Sequence, residues 1–260
     1  MRRLVLSHPA LKVSRPFVLG LCGSQGSGKS TVSAILKAHL AASGLPTAVL
    51  SLDDIYKTKA DRVSLARSVH PHFRTRGVPG THDVELGLNV LSALAQGEPA
   101  PLPRFDKARD DRADRAVWGM APADTRVLIL EGWFVGARPE TGTPEPAPLN
   151  DVEADDAQGL WRARIAQALR EEYQVLFAHI DALAFLAAPG FDVVLAWRME
   201  QEHDLRASGR CGMSDSEVRT FIQHYERLTR RILNEMQAYA DLVIELDAQR
   251  RPQAIRFAAC

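Results

Sequence analysis

The sequence has no excess of charge of either sign: 32 Lys and Arg balance 32 Asp and Glu. A chain that holds a polyanion by bulk charge carries a basic surplus, so nucleic acid is not expected as a partner. Lysine is scarce, 6 residues against 26 arginines, and arginine is the side chain suited to a two-pronged grip on carboxylate or phosphate. Cysteine is scarcer still. Cys22, Cys211 and Cys260 lie far apart and form no CxxC pair, which excludes a disulfide framework and favours a reducing compartment. The start, MRRLVLSHPALK, has too short an apolar run for a signal peptide, and no stretch nears the about 18 apolar residues of a membrane span. The expectation is a soluble, cytoplasmic protein with no membrane partner. Hydrophobic content of 46% and charged content of 25% also exclude disordered, collagen-like and fibrous chains.

Apolar and β-branched runs predict strands at residues 17–22, 47–52, 127–130, 193–196 and 241–246. Helical spacing joins Val32, Ile35, Leu36 and Leu40, then residues 84–94, then Trp161, Ile165, Leu169, Tyr173 and Leu176, and finally Val218, Phe221, Ile222, Tyr225, Leu228 and Ile232. The last of these opens on Ser214 and Glu217, a capping box. Strands alternating with helices predict an α/β fold, a doubly wound and mainly parallel sheet of about five strands with helices on both faces. The chain reads as one domain, 1–260, and the proline-rich residues 139–148 as a surface loop within it. Ligands of such sheets gather at the carboxyl ends of the strands. On this reading those ends carry Gly23, Asp53, Glu131 and Arg198.

Gly23, Ser24, Gln25, Gly26, Ser27, Gly28, Lys29 and Ser30 match GxxxxGK[ST] between a predicted strand and helix, the setting in which the pattern binds nucleoside triphosphates. The glycines let successive amides, through Thr31 at the helix start, face the phosphates. Lys29 is expected to bridge the β- and γ-phosphates and the Ser30 hydroxyl to bind magnesium. Asp53, at the end of the second strand, is the candidate base for a substrate hydroxyl or a further magnesium ligand, and Glu131 at the end of the third is another magnesium candidate. Residues 57–82 then carry six basic side chains against Asp61 alone, a net +5, which suits an anionic substrate or a solvated basic face. Candidate substrate contacts are Tyr56, Lys57, Arg74, Arg76, His82 and Asp83 in a loop around 57–83, with Arg104 and Lys107 from a charged segment that reads equally as a surface ion-pair cluster. Arg198, Arg206 and Arg210 mark a candidate lid around 198–213.

Together these residues resemble the phosphoribulokinase and uridine kinase family of P-loop kinases, whose Ser-x-Asp signature is met by Ser51, Asp53, Ile55 and Tyr56. The strings SLDDIYKT, RGVPGTHDVELG, LPRFDKARDDR, LILEGWFVGARP, LWRARIAQAL and AWRMEQEHDL resemble its D-glycerate 3-kinase-like branch over most of residues 16–246. The resemblance implies transfer of the ATP γ-phosphoryl group to the 3-hydroxyl of D-glycerate, with Asp53 as base and Ser30 and Glu131 around Mg2+. Ile165, Ala166 and Gln167 stand where the branch would place an asparagine, so no role is carried to that helix. Two other readings stay open: a kinase for pantothenate, uridine or a sugar phosphate, and a nucleotide-dependent switch or metallochaperone. For the last, Thr58 to Asp61 mimics a base-reading TKxD motif but follows the P-loop too closely, and no Cys/His cluster supports metal delivery.

Overall fold

Every residue of β1 (Phe17–Gly23) is buried, and a strand with no exposed face belongs inside a sheet covered on both sides. In the computed structural model, which describes residues 1–140, 147–209 and 212–258, β1 has that place. It is flanked by β7 (Val127–Gly132) and β8 (Ala182–Ala187), both also buried throughout. Outside them lie β2 (Thr47–Ser51), β9 (Leu242–Leu246) and β10 (Pro252–Phe257), in the order β10-β9-β8-β1-β7-β2. Of the five pairings in this sheet four run parallel, and β10 joins β9 antiparallel at one edge. Helices α1 (Arg2–Ser7), α2 (Lys29–Ala41), α3 (Lys59–Ser68), α4 (Val84–Ala95), α5 (Asp151–Asp155), α6 (Leu160–Ala168), α7 (Gln174–Phe177), α8 (Phe191–Ala207) and α9 (Asp215–Glu235) supply the connections. Two short ribbons, β3 (Ala100–Leu102) with β6 (Gly119–Ala121) and β4 (Phe105–Asp106) with β5 (Asp111–Arg112), stand apart from the main sheet. The expected α/β architecture is therefore present. Among the described residues no helix is long and apolar enough to cross a membrane.

Register does the positioning. Leu21 pairs with Glu131 and Cys22 with Gly132, while Ser51 also pairs with Glu131. The carboxyl ends of β1, β7 and β2 thus stop at one level, with Gly23, Glu131 and Asp53 just beyond or at it. Cys22, beneath that level, is fully buried, and burial pushes its thiol up to about 12, so it is an inert packing group.

One predicted strand is misplaced. Residues 193–196 lie in α8, where Phe191, Val194 and Trp197 are buried at three-residue spacing while Val193 and Leu195 are only half-buried and Ala196 is exposed. The fourth parallel strand is β8 instead, whose ALAFLA sequence has no β-branched residue to announce it. Arg198 accordingly sits on a helix and not at a strand end. Strand β10 was also not anticipated. Helix α9 forms as read, with the reciprocal Ser214 and Glu217 capping box and Val218, Ile222, Tyr225, Leu228 and Ile232 buried. Of the loop 139–148, residues 141–146 lie outside the described residues.

Helix α6 passes into α7 through a π-helical turn, Leu169–Tyr173. Such a turn shifts the helix phase by one residue and is frequent near functional sites. Here it directs Tyr173 to the loop between α3 and α4. That loop is clamped at Gly77: Tyr225 Oη donates to Arg76 O (2.8 Å), Trp133 Nε1 donates to Gly77 O (2.9 Å), and Gly77 N donates to Thr81 Oγ1 (3.0 Å). With φ at +133°, Gly77 leaves no room for a side chain, since an added Cβ would fall 1.9 Å from Tyr225 Oη. Gly77→Ala is expected to cost about 2 kcal/mol or more and to lower the melting temperature by about 4–8 °C in calorimetry. An unchanged melting temperature would show that the clamp does not hold the loop.

Candidate active site

Strand β1 delivers the chain to Gly23, and the turn that follows ends at Gly28, the N-cap of α2, with φ of 85° and no side-chain cap. The first amides of α2 are therefore left without intrahelical or side-chain partners, an anion-binding arrangement when a basic side chain stands beside it. Lys29 is that side chain and opens the helix. The hydroxyls of Ser24 and Ser27 are buried and have no partner within the protein. Gly26 cannot be replaced without moving α8, because a Cβ there would meet Trp197 Cβ at 2.5 Å. Its carbonyl accepts from Arg250 Nε at 2.6 Å. Arg250 also bonds Glu200 at 2.6 Å and lies over the Trp197 ring, so the turn between β9 and β10 braces the phosphate loop. Sequence reasoning missed Arg250, and without a predicted β10 no signal pointed to it.

At the level of β7, the Ser30 hydroxyl donates to Glu131 Oε1 at 3.3 Å, and the other oxygen of this buried carboxylate has no partner. An unpaired buried carboxylate oxygen is costly unless something occupies it. A hard, all-oxygen donor pair of this kind suits Mg2+.

Beyond β2 the chain turns through a short 3-10 segment, Leu52–Asp54, in which Asp53 N donates to Ser51 Oγ. Asp53 Oδ1 accepts from Tyr56 Oη (2.9 Å) and Oδ2 from Lys107 Nζ (2.7 Å). Burial pushes the Asp53 carboxyl up, but the charges of Lys107 and Lys29 and the bonds from Lys107 and Tyr56 outweigh it and hold the group well below the usual carboxylate range. Asp53 is thus an anion set between the phosphate-loop lysine and a second lysine from the segment between β4 and β5. Its neighbour Asp54 is engaged elsewhere, with Arg104 Nη1 at 2.6 Å and Phe105 N at 3.2 Å.

Tyr56 lies against His82, ring centroids 4.4 Å apart, and edge-on to Phe105. His82 is fully buried, and burial lowers its pKa to about 3, which leaves it neutral. Tyr173 Oη accepts from Gly80 N (3.0 Å) and meets His82 Nδ1 at 2.6 Å. Nδ1 of the imidazole is thereby committed to Tyr173, while Nε2 is buried and has no protein partner.

Other sequence candidates have protein partners. Asp83 caps α4 through Leu86 N and pairs with Arg112 at 2.8 Å. Arg76 pairs with Asp110 and sits above Phe105. Arg62, counted in the basic run, is buried and bonds Arg74 O, Asp110 O and the Asp110 carboxylate, which makes it a structural staple. Lys57 is half-buried, its amide bonded to Thr81 O, and Arg74 is exposed. In the lid segment Arg198 pairs with the buried Glu202 within α8, while Arg206 pairs with Asp215 and Met213 O and so ties α8 to the start of α9. Arg210 lies outside the described residues. The structure thus gathers Lys29, Ser30, Glu131, Asp53, Tyr56 and Lys107 in one chain of contacts and charges and adds Trp133, Tyr173, Tyr225 and Arg112, which residue type and spacing did not single out as functional.

The family profile described as Phosphoribulokinase / Uridine kinase family matches residues 18–138. An uncharacterized kinase, mug58, of Schizosaccharomyces pombe is 38% identical over 222 residues, covering 81% of this chain and 79% of that protein. The chloroplastic D-glycerate 3-kinase of Arabidopsis thaliana is 29% identical over 256 residues, 91% of this chain but only 54% of the plant protein, so the chain spans about half its length. Among solved structures, the D-glycerate 3-kinase of Cryptococcus neoformans var. grubii serotype A superposes with a TM-score of 0.75 at 27% identity, covering 94% of this chain and 90% of that one. With the phosphate loop, the in-register carboxylates and these relatives in agreement, the chain belongs to the phosphoribulokinase and uridine kinase family of ATP-dependent P-loop kinases, in its glycerate 3-kinase-like branch.

Proposed function

We propose that this kinase transfers the γ-phosphoryl group of ATP to the 3-hydroxyl of D-glycerate, giving 3-phospho-D-glycerate and ADP. The observation that carries this reading is the ionised Asp53 between Lys29 and Lys107, because a small acid brought there meets a proton acceptor and a cation together. The relatives named as D-glycerate 3-kinases support the same acceptor. In the proposed reaction the loop from Gly23 to Thr31 cradles the β- and γ-phosphates, with Lys29 neutralising charge that grows as the phosphoryl group leaves. Ser30, Glu131 and Asp53 are the residues that would hold Mg2+, which supplies charge neutralisation on the phosphates when bound. Asp53 accepts the proton of the 3-hydroxyl as its oxygen bonds to phosphorus, and the bond from phosphorus to the ADP oxygen breaks. Lys107, with Lys57, Arg74, Arg76 and Arg104 around the rim, receives the glycerate carboxylate, and His82 Nε2 serves a substrate hydroxyl. The segment 198–213 closes over the nucleotide as a lid, exchanging the Glu202 and Asp215 contacts of Arg198 and Arg206 for phosphate.

Uridine fits less well. A pyrimidine wants a free aromatic face, yet Tyr56 is 3% exposed and already stacked on His82, and Phe73 is fully buried.

An acceptor panel tests the substrate. ADP release measured with ATP, Mg2+ and D-glycerate, pantothenate, uridine or ribulose 5-phosphate is expected to rise strongly with glycerate alone, and the absence of that rise would end the assignment. Asp53→Asn should lower kcat by about 10²–10⁴-fold while ATP binding survives. The pH dependence follows from the depressed Asp53 pKa: the carboxylate is ionised above that value, and activity is lost only as pH falls through it. Lys107→Met removes the strongest opposing charge, so the Asp53 pKa rises and the acid limb of the kcat/KM profile moves to higher pH. An unmoved limb in Lys107→Met would show that Asp53 does not set it.

A further inference from the structure

Away from the phosphate loop, the short 3-10 segment Pro71–Arg74 brings His70 and His72 against the end of α5. The two rings stand 4.5 Å apart, and His72 Nε2 lies 3.4 Å from Asp155 Oδ2. One ligand atom each from His70, His72 and Asp155 falls within a sphere of contacts no wider than 4.8 Å. Two imidazoles and a carboxylate are the donor set of a three-ligand zinc site with a position left for water, and imidazole selects Zn2+, Co2+, Ni2+ or Cu2+ over Mg2+.

We propose that His70, His72 and Asp155 bind a transition-metal dication of the Zn2+ class, separate from the oxygen-lined site of Ser30 and Glu131. Donors around four-coordinate zinc sit about 3.4 Å apart, given bonds of about 2.0–2.1 Å, a spacing that His72 and Asp155 already have, so the wider distances, which involve His70, must close by up to about 1.4 Å. The Asp155 side chain is 72% exposed and can rotate to follow the metal. His70 and His72 are about one-sixth exposed, at 14% and 17%, which leaves a path from solvent. His72 Nε2 donates to Val152 O at 2.9 Å in the metal-free chain; on binding, that proton moves to Nδ1 or is released. Asp156 is not a ligand. It is buried and accepts from Trp161 N, Arg162 N and Arg162 Nε, and at 4.0 Å from His70 Nε2 it adds negative potential behind the ring.

The position gives the metal a structural task. Helix α5 is fastened to α9 through Glu153 with Arg227 (2.5 Å) and Asn150 with Gln223 O (3.1 Å). A cation shared by Asp155 and the two histidines would fasten the root of the loop 74–82 to that pair of helices. The cluster spans residues 70 to 155, so it could not be seen as a ligand spacing in the sequence.

The test uses the full chain with millimolar Mg2+ present, titrated with Zn2+ in a calorimeter and with Co2+ by visible absorption. One Zn2+ per chain with micromolar affinity, a Co2+ spectrum of a nitrogen-ligated low-coordinate site, and a Zn2+-dependent rise in melting temperature are expected. The paired substitution His70→Ala and His72→Ala should weaken Zn2+ binding by at least about 30-fold. Asp155→Asn, on an exposed side chain, should weaken it severalfold while keeping the metal-free melting temperature, which guards against a variant that fails to fold. Absent micromolar binding, or affinity unchanged in Asp155→Asn and in the histidine pair, would overturn the site. Because the readout is metal binding, its failure would leave the glycerate reading untouched.

Discussion

A partly buried carboxylate is held ionised by nearby cations and hydrogen-bond donors, and at Asp53, its side chain half-buried, this arrangement organises the surroundings. Tyr56 and Lys107 answer it directly, Lys29 from across the phosphate loop. Lys107 can arrive only if the segment after β3 folds over β2, and Asp54 secures that segment by binding Arg104 and the amide of Phe105. Adjacent acids thus divide the work, one set between Lys29 and Lys107 and one holding the ribbon that brings Lys107. The register of β2 on β7 sets the carboxylate at the level of Glu131 and the phosphate loop, so backbone pairing fixes the separation that phosphoryl transfer would need.

The basic run between residues 57 and 82 has a different meaning in three dimensions. Arg62 and Arg76 converge on Asp110, Lys59 N donates to Asp111, and Arg112 crosses back to Asp83. Asp110 therefore pairs with two of the six basic side chains of the run, and these contacts together bond the two segments into one wall. A wall built this way holds Arg62 and Arg76 in fixed positions. It offers an anion a few placed donors in a rigid frame, a basis for discrimination by geometry instead of by field strength.

What was legible in the sequence is what local chemistry dictates. The phosphate loop, the strand ends at Asp53 and Glu131, and the capped start of α9 each carry residues whose conformation or charge has one evident use. Strand β8 was illegible because a strand buried on both faces needs only apolar residues, and alanine, leucine and phenylalanine suit a helix equally. The VVLA stretch misled for the opposite reason: its β-branched pair fits a strand, but the partners of Val194 on the buried face are Phe191 and Trp197, three residues away on each side. Arg62 and Arg250 were beyond reach, since each bonds a backbone carbonyl and a sequence-distant carboxylate brought to it only by the finished fold.

The loop 76–82 shows how such a frame can be specific without being flexible. Its carbonyls at Arg76 and Gly77 are held by Tyr225 and Trp133, its amide at Gly80 by Tyr173, and its last residue, His82, is buried neutral with one nitrogen committed to Tyr173. The helix carrying Tyr173 takes a π turn there, a poorer backbone arrangement than an uninterrupted α-helix, compensated by the tyrosine it aims. One ring nitrogen is then left over, His82 Nε2. An unpaired polar atom in a buried ring favours a ligand that completes it and penalises one that does not by roughly 1–3 kcal/mol. If the acceptor is the three-carbon hydroxy acid proposed above, with few atoms to bind, a single preset partner of that worth would separate it from an analogue lacking one oxygen.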